Sequence, residues 1–465
     1  MHRTAVINVV GLTPALIGAH TPRIGAFLRS AKMASVRPAF PAVTCTAQSN
    51  YVTGVAPSEH GIVGNGWYDR DLAEVQFWKQ SNRLVRAPKL WDDLRGLDPT
   101  FTCAKLFWWY NMYAQVDYSI TPRPIYCADG RKVFDIYAAP GGLRPEIKRD
   151  LGAFPFPTFW GPAAGVDTPQ GDSAASSRWI ARSAMWIEER HRPTLSLVYL
   201  PHLDYNLQRR GVSAPANARD LAAIDSIVGD LIDFFSSRRV QVVLLSEYGI
   251  VDVQRPIHLN RVLREHGWIA IKDELGLELL DCGASKAFAV ADHQVAHVYV
   301  RDKSLISDVR AALEACDGVE KVLEGEALAR AGLAHSRAGD LVVVAEPDAW
   351  FTYYYWFEDS AAPDFARTVD IHRKPGYDPV ELFLDPNIPA VKAGILWRLL
   401  KKKLGFRMLM DVIPLDASLV RGSHGRATTS PADWPVLITQ RSDLIDGGPL
   451  ESTEVYFALR RHVTG

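Results

Sequence analysis

The sequence predicts an α/β fold in which helices cover both faces of a mostly parallel central sheet. Short runs rich in Val, Ile and Leu recur along the 465 residues, and longer helical patterns separate them. Strands that are buried on both faces and joined through helices show this pattern. The predicted strands are 5–10, 195–200, 240–245, 296–300 and 341–345, and the predicted helices include 174–190 and 217–236.

The chain divides into three predicted segments. Residues 1–254 form the first part of the core, and 347–465 form its last part. Residues 255–346 have strand and helix signals of their own, which predicts a smaller inserted α+β subdomain. Within the last segment, the Pro-rich and aromatic stretch 350–389 predicts irregular loops. The basic stretch 397–404 predicts a short amphipathic helix, for which a solvated surface face is favoured over a membrane anchor.

Composition limits the partners and the compartment. The net charge is −1, so no global field attracts nucleic acid or an anionic membrane, and an anionic substrate must be held by local groups. Five widely spaced cysteines without a CxxC pair are typical of a reducing compartment. We find no signal-peptide pattern and no apolar run near the roughly 20 residues of a spanning helix. We therefore expect a cytoplasmic protein with a small-molecule partner, without nucleic-acid or membrane binding; oligomeric state is not predicted.

Polar side chains follow three of the predicted strands directly. In parallel sheets, chemistry collects at the carboxyl ends of the strands. The stretches to consider are therefore 8–11, 202–208 and 247–249.

A fourth stretch, 40–69, has the composition of a nucleophile segment. Thr44 follows a Pro-initiated turn and begins a predicted helix that Gly54 ends. A hydroxyl at a helix N-terminus lies at the positive end of the helix dipole, which favours an alkoxide and a bound phosphoryl oxygen. Thr46 is a rival hydroxyl two residues later.

This segment resembles the nucleotide pyrophosphatase/phosphodiesterase branch of the alkaline phosphatase superfamily. In that branch the nucleophile lies in a PxxTFPNHYxLVTG block that is followed by PxxHGIxxN. The matching residues here are Pro41, Thr44, Tyr51, Thr53, Gly54, Pro57, His60, Gly61, Ile62 and Asn65. The resemblance implies that Thr44 is the nucleophile and that Asn65 donates a hydrogen bond to a phosphoryl oxygen. Cys45-Thr46-Ala47-Gln48 replaces the family's Phe-Pro-Asn-His, and the offset of Thr46 does not fit the pattern.

The resemblance also implies two metal ions, but the ligand positions are altered. Asp204 and His424 match family ligands, whereas neutral or longer side chains stand at four other positions: Asn8, Gln208, Glu247 and Tyr248. The resulting oxygen-rich set, with a single imidazole, suits Mg²⁺, Mn²⁺ or Ca²⁺, or one ion, better than a zinc pair. We expect one or two divalent ions (Mg, Mn, Ca or Zn), held by Thr44, Asp204, His424, Glu247, Asn8 and Gln208. A site without metal is the alternative.

Further residues are candidates for the site. Substrate-binding candidates are Trp108 and Tyr110, which could instead be core residues, and Tyr248. Asp292 and His293 offer a carboxylate–imidazole pair, and we expect His293 and His297 to share one face of a strand. The other secondary candidates are His202, His372 and Lys374.

These observations predict a metal-dependent hydrolase of a small-molecule phosphodiester or related phosphoester, acting through a phosphothreonine at Thr44. Two alternatives stay open. One is a non-catalytic binding protein that retains the fold, and the other is a phospho-lyase or transferase that uses the same nucleophile.

Overall fold

The computed structural model describes residues 1–445 and 448–465, and its centre is a nine-stranded sheet. Five adjacent strands, from Gln241–Leu245 to Tyr118–Pro122, are parallel, as predicted. The neighbouring strands Val436–Thr439 and Ile136–Ala139 are antiparallel to them. From one edge to the other, the strands are Leu450–Glu451, Lys32–Arg37, Val436–Thr439, Gln241–Leu245, Thr4–Val9, Leu195–Leu200, Cys103–Leu106, Tyr118–Pro122 and Ile136–Ala139.

Helices cover both faces of this sheet, because its strands are apolar on both sides. In Thr4–Val9, Ile7 packs in one core with helix Ala175–His191, and Val6 packs in the other with helix Val455–Thr464. The α-helices of the described residues are Pro22–Arg29, Thr44–Thr53, Pro57–His60, Leu90–Leu97, Leu143–Leu151, Ala175–His191, His202–Arg210, Ala218–Ser237, Leu259–Glu265, Ile306–Glu314, Glu326–Arg330, Val391–Lys403 and Val455–Thr464. Within residues 1–445 and 448–465, no helix is long and apolar enough to cross a membrane.

A second, antiparallel sheet lies within the segment predicted as an insertion. It has its own apolar core, to which helices Leu259–Glu265 and Ile306–Glu314 contribute. Its strands, side by side, are Ala287–Asp292, Val295–Val300, Leu341–Ala345 and Val319–Glu324. The boundaries 255–346 stay a prediction. Two-stranded ladders complete the fold: Gly66–Asp69 with Glu74–Phe77, Ile125–Tyr126 with Lys132–Val133, Val251–Asp252 with Gly422–Ser423, Arg255–Ile257 with Ala349–Phe351, and Ile271–Glu274 with Leu277–Leu280.

The first two strands of the second sheet form a tight hairpin. His293 lies in its turn with a φ of 63°, which reverses the chain between Asp292 and Val295. The prediction that His293 and His297 share one face of a single strand is therefore wrong. The turn instead carries Asp292 and His293 toward the central sheet.

Lys374, one of the secondary candidates for the site, is buried in an ion cluster. Its Nζ lies 2.8 Å from Asp378 and 2.8 Å from Glu381, and all three side chains are almost fully buried. Burial alone would lower the pKa of Lys374, but the two carboxylates outweigh it and raise the pKa. Lys374 thus stabilises the irregular stretch 352–390 through these ion pairs, and it is not placed to bind substrate.

We predict that Lys374→Met lowers the free energy of unfolding by about 3–5 kcal/mol, because it leaves two buried carboxylates without their cation. Denaturant unfolding followed by circular dichroism measures the change. Lys392→Met, at an exposed lysine, is the control and should leave stability nearly unchanged. Equal stability of the two variants would contradict the structural role of Lys374.

Candidate active site

The site lies where three neighbouring strands end. Thr4–Val9 is flanked by Leu195–Leu200 and Gln241–Leu245, and the register places Asn8 opposite Leu245 on one side. The polar residues that follow these strands therefore meet at one edge of the sheet, as predicted. They include Asp204 and Glu247.

Thr44 lies above this edge as the first residue of helix Thr44–Thr53. Gly54 ends the helix in the left-handed conformation, with a φ of 72°. The N–H of Cys45 donates to Asn65 Oδ1 over 3.0 Å, which ties Asn65 to the positive end of the helix. Thr44 itself is 3% exposed and lines a cavity, so an incoming ligand can reach it.

Tyr248 connects Thr44 to Asp204. Its Oη lies 3.1 Å from Thr44 Oγ1 and donates to Asp204 Oδ1 over 3.3 Å. A phenol has one hydrogen, so Thr44 must be the donor in its contact with Tyr248. Gln208 donates to the other oxygen of Asp204 over 2.8 Å. Burial raises the pKa of Asp204 to about 7, although both hydrogen bonds act to lower it.

Glu247 receives two amide donors on one oxygen. Asn8 Nδ2 donates to its Oε1 over 2.5 Å, and Gln48 Nε2 donates to the same atom. Burial raises the pKa of Glu247 to about 8, against the effect of these bonds. Sequence reasoning did not select Gln48, although its position in the substituted Cys45-Thr46-Ala47-Gln48 block was a signal. The backbone N–H of Trp109 in turn donates to Gln48 Oε1 over 2.7 Å and fixes the orientation of the Gln48 side-chain amide.

Two buried oxygen atoms beside Thr44 indicate whether the residues of the site fit a metal ion. Asn8 Oδ1 and Glu247 Oε2 are both buried without a hydrogen-bond partner in the described residues. The Thr44 hydroxyl also lies near Glu247 and acts to lower the pKa of its carboxyl group. Amide, carboxylate and hydroxyl oxygens are the donors that Mg²⁺ and Mn²⁺ prefer. Asn8, Thr44 and Glu247 therefore fit a single hard cation.

The residues do not fit the zinc pair that the resemblance implies. Gln208 turns its N–H₂ group toward Asp204, and its oxygen accepts from Tyr377 over 2.8 Å. Tyr248 points its only donor at Asp204. Of the predicted ligands near Asp204 only His424 Nε2 supplies nitrogen, at 3.9 Å from Asp204 Oδ1. Across the described chain, no three His, Cys, Asp or Glu side chains are grouped as a metal site.

The hairpin turn of the second sheet closes another side of the site. Asp292 accepts from the Asn65 N–H over 2.8 Å and from Asn65 Nδ2 over 3.0 Å, and it also contacts His293 Nδ1 at 2.8 Å. The His293 ring lies 3.7 Å from that of His424 and 3.5 Å from that of Tyr377. Burial lowers the pKa of both histidines well below the usual value, so both rings are neutral near pH 7.

The cavity in front of Thr44 has a volume of about 2180 Å³. Trp109 lines it, whereas the predicted substrate ligand Trp108 lies in the core beside Trp91, so that prediction is wrong. The predicted ligand Tyr110 is likewise buried in an apolar cluster with Cys45 and does not line the cavity. The run lies after the end of strand Cys103–Leu106, where the side chains no longer follow the alternation of a strand, so the aromatic run alone does not reveal which residue lines the cavity.

The remaining candidates lie around the site or away from it. His372 lines the cavity, and its Nδ1 is 3.3 Å from the Phe77 carbonyl oxygen. His202 Nε2 faces Asp220 at 3.3 Å, behind the sheet edge. Both ring nitrogens of His297 bond to backbone, at 2.9 Å from Val63 O and 3.1 Å from Gly339 N, so His297 is not free to bind a ligand.

Solved structures with this fold include a nucleotide pyrophosphatase/phosphodiesterase and a phosphonate hydrolase. Murine ectonucleotide pyrophosphatase/phosphodiesterase 5, an inactive variant in complex with AMP, superposes with a TM-score of 0.59 and 14% identity, over 100% of this chain and 95% of that one. Phosphonoacetate hydrolase from Sinorhizobium meliloti, in complex with phosphonoformate, gives a TM-score of 0.62 and 15% identity, over 99% of this chain and 96% of that one. At these identities the likeness shows the fold.

Sequence comparison agrees with the fold. An uncharacterised pyrophosphatase/phosphodiesterase of Schizosaccharomyces pombe is 23% identical over 230 residues, which are 49% of this chain and 39% of that protein. The sequence model of type I phosphodiesterases/nucleotide pyrophosphatases matches residues 4–378, and proteins of this family generally depend on a divalent metal. With the altered ligands noted above, the chain belongs to the type I phosphodiesterase/nucleotide pyrophosphatase family of the alkaline phosphatase superfamily.

Proposed function

We propose that this chain hydrolyses a small-molecule phosphodiester or related phosphoester by attack of Thr44 on phosphorus. The observation that carries the proposal is the hydrogen-bonded chain from Thr44 through Tyr248 to Asp204. A threonine hydroxyl is a weak nucleophile until an adjacent group accepts its proton. In the alternative of a non-catalytic binding protein, this directed chain would have no use.

The first step transfers the phosphoryl group to the protein. As Thr44 Oγ1 bonds to phosphorus, its proton passes to Tyr248 Oη and the Tyr248 proton passes to Asp204. The P–O bond to the leaving group breaks, and the departing oxygen takes up a proton. Water then attacks the phosphorus of the phosphothreonine, the P–O bond to Thr44 breaks, and Thr44 Oγ1 takes back a proton from Asp204 through Tyr248 as the product leaves. Transfer to another acceptor would use the same first step.

Stabilisation of the transferring group comes from fixed donors. The N-terminus of helix Thr44–Thr53 would place the positive end of the helix dipole beside the phosphoryl oxygens. Asn65 Nδ2 gives one hydrogen to Asp292 and has a second one for an oxygen of the substrate. Asn8, Thr44 and Glu247 would hold a divalent cation, which supplies a charge that lowers the energy of the transition state.

We predict that Thr44→Ala lowers hydrolysis of bis(p-nitrophenyl) phosphate, measured with Mg²⁺ or Mn²⁺, by at least about 10³-fold, because the nucleophile is lost. Thr46→Ala is the matched control. Its hydroxyl donates to the Ile62 carbonyl over 3.2 Å and is buried away from the cavity, so most activity should remain. Activity that survives Thr44→Ala would exclude the proposed mechanism.

We predict that Tyr248→Phe lowers kcat by about 10²-fold with little change in KM, because the proton of Thr44 loses its path to Asp204. Tyr353→Phe is the control, since its hydroxyl is buried without a hydrogen-bond partner in the described residues and lies outside the cavity. An unchanged kcat for Tyr248→Phe would show that Tyr248 only packs against His424.

We predict that the protein binds one Mn²⁺ per chain and that Glu247→Gln weakens this binding at least about tenfold, because the only carboxylate of the set loses its charge. Electron paramagnetic resonance of free Mn²⁺ measures the binding. Glu188→Gln, at a buried glutamate that pairs with Arg3 instead, should bind as the wild type does. Two tightly bound zinc ions per wild-type chain would contradict the single oxygen-rich site.

A further inference from the structure

Exposed apolar side chains are concentrated on two elements beside the cavity. Of the nineteen large apolar side chains that are exposed among the described residues, seven lie between 396 and 409 and five between 113 and 134. Single exposed apolar residues are normal, but a contiguous group marks an interaction surface. We call the two elements together the apolar rim; its exposed members are Leu396, Trp397, Leu399, Leu400, Leu404, Phe406, Leu409, Tyr113, Ile125, Tyr126, Val133 and Phe134.

Helix Val391–Lys403 lies between the outer surface and the cavity. Leu396, Leu400 and Leu404 recur at four-residue spacing, so they share one side, and they are 69%, 44% and 64% exposed. Ile395 and Leu399 are on the adjacent side and line the cavity. The helix therefore has apolar residues both toward the cavity and toward solvent, and this is more apolar surface than the sequence pattern indicated.

Basic residues predominate along this helix and the loop after it. Residues 391–410 contain six basic residues and no acidic one, in a chain whose net charge is −1. One of the six, Arg398, forms an ion pair with Asp411, the residue that follows this stretch. Lys401 Nζ lies 5.4 Å from the centre of the Trp397 ring. Tryptophan and leucine flanked by lysines are typical of segments that lie in the headgroup region of an anionic bilayer.

Both parts of the rim border the same cavity, which reaches Thr44. Arg407 Nε lies 3.8 Å from the position that a Cβ on Gly130 would take, so the hairpin of Ile125–Tyr126 and Lys132–Val133 adjoins the loop after the helix. The cavity, at about 2180 Å³, is larger than the roughly 300–1,000 Å³ of usual small-molecule sites. Its walls carry aromatic and apolar side chains, among them Trp67, Trp78, Phe159, Trp160 and Met410.

We propose that the apolar rim docks the protein on an anionic membrane surface, so that the cavity opens toward the bilayer and takes up a phosphoester with a long hydrocarbon chain. The phosphate then lies at Thr44 and the chain lies along the aromatic walls. Docking is independent of the proposed hydrolysis; only the fate of the bound ester rests on it.

The test of docking is flotation with vesicles. The full chain should bind vesicles of equal parts phosphatidylcholine and phosphatidylglycerol, should not bind phosphatidylcholine alone, and should be released by high salt. Leu396→Ser/Trp397→Ser/Leu400→Ser, at residues that do not line the cavity, should weaken binding at least about tenfold. The matched control Leu97→Ser/Leu275→Ser/Phe457→Ser removes equally exposed side chains elsewhere and should bind as the wild type does.

Two outcomes would overturn docking. One is a wild-type protein that does not float with anionic vesicles. The other is a self-associated protein in gel filtration that becomes monomeric in the rim variant, since the rim would then join two copies of the chain. Circular dichroism and thermal melting confirm that the variants fold.

The test of the ligand class does not require turnover. Dodecyl phosphate, below its micellar concentration, and methyl phosphate are titrated while the fluorescence of the cavity tryptophans is followed. At least about tenfold tighter binding of dodecyl phosphate is expected, because its chain is buried against apolar walls. Equal affinities would overturn the assignment. Because Thr44→Ala should show the same preference, failure of hydrolysis is distinguished from failure of this proposal.

Discussion

The contact of the Tyr248 hydroxyl with Thr44 and Asp204 is the interaction around which the catalytic edge of the molecule is arranged. It requires the ends of strands Gln241–Leu245 and Leu195–Leu200, which flank Thr4–Val9 on either side, and the start of helix Thr44–Thr53 to meet within a few ångströms. Parallel strands supply that meeting, because all their carboxyl ends lie at one edge. Gln208 then holds Asp204 by a hydrogen bond, and the ring of His424, 3.7 Å from that of Tyr248, restricts how the phenol can move.

The pKa values of the acidic residues in the site depend on how deeply these residues are buried. Asp204, Glu247 and Asp292 are three carboxyl groups with no lysine or arginine bonded to them, and burial raises the pKa of each, to about 7, 8 and 6. Neutral amides and a phenol supply their hydrogen bonds instead. Such donors make the charged form tolerable without neutralising it. Three buried carboxyl groups with raised pKa values therefore lie close to the cavity, and the proposed anionic substrate would depend on the helix N-terminus for positive charge.

Much of this could be predicted from the sequence, and the limits have physical causes. The parallel sheet, the helix at Thr44 and the grouping of Asp204 with Glu247 followed from local patterns, because strand ends and helix starts are fixed by nearby residues. The hairpin that brings Asp292 to Asn65 was missed, since contact between residues 227 positions apart leaves no local signal. Gln48 and Tyr377 were missed for the same reason. Trp108 and Trp109 differ by one position, and only packing decides which of them faces the cavity.

The hairpin turn of the second sheet and His424 also govern when the site exists during synthesis. Asp292, which holds Asn65, and His293, whose ring lies against that of His424, are synthesised about 250 residues after Thr44, and His424 follows later still. At synthesis rates of about 5–20 residues per second, tens of seconds separate these events. In the proposed mechanism, Thr44 therefore lies in an incomplete pocket until His424 has been made, and a growing chain that lacks His424 would not react with phosphoesters through this site.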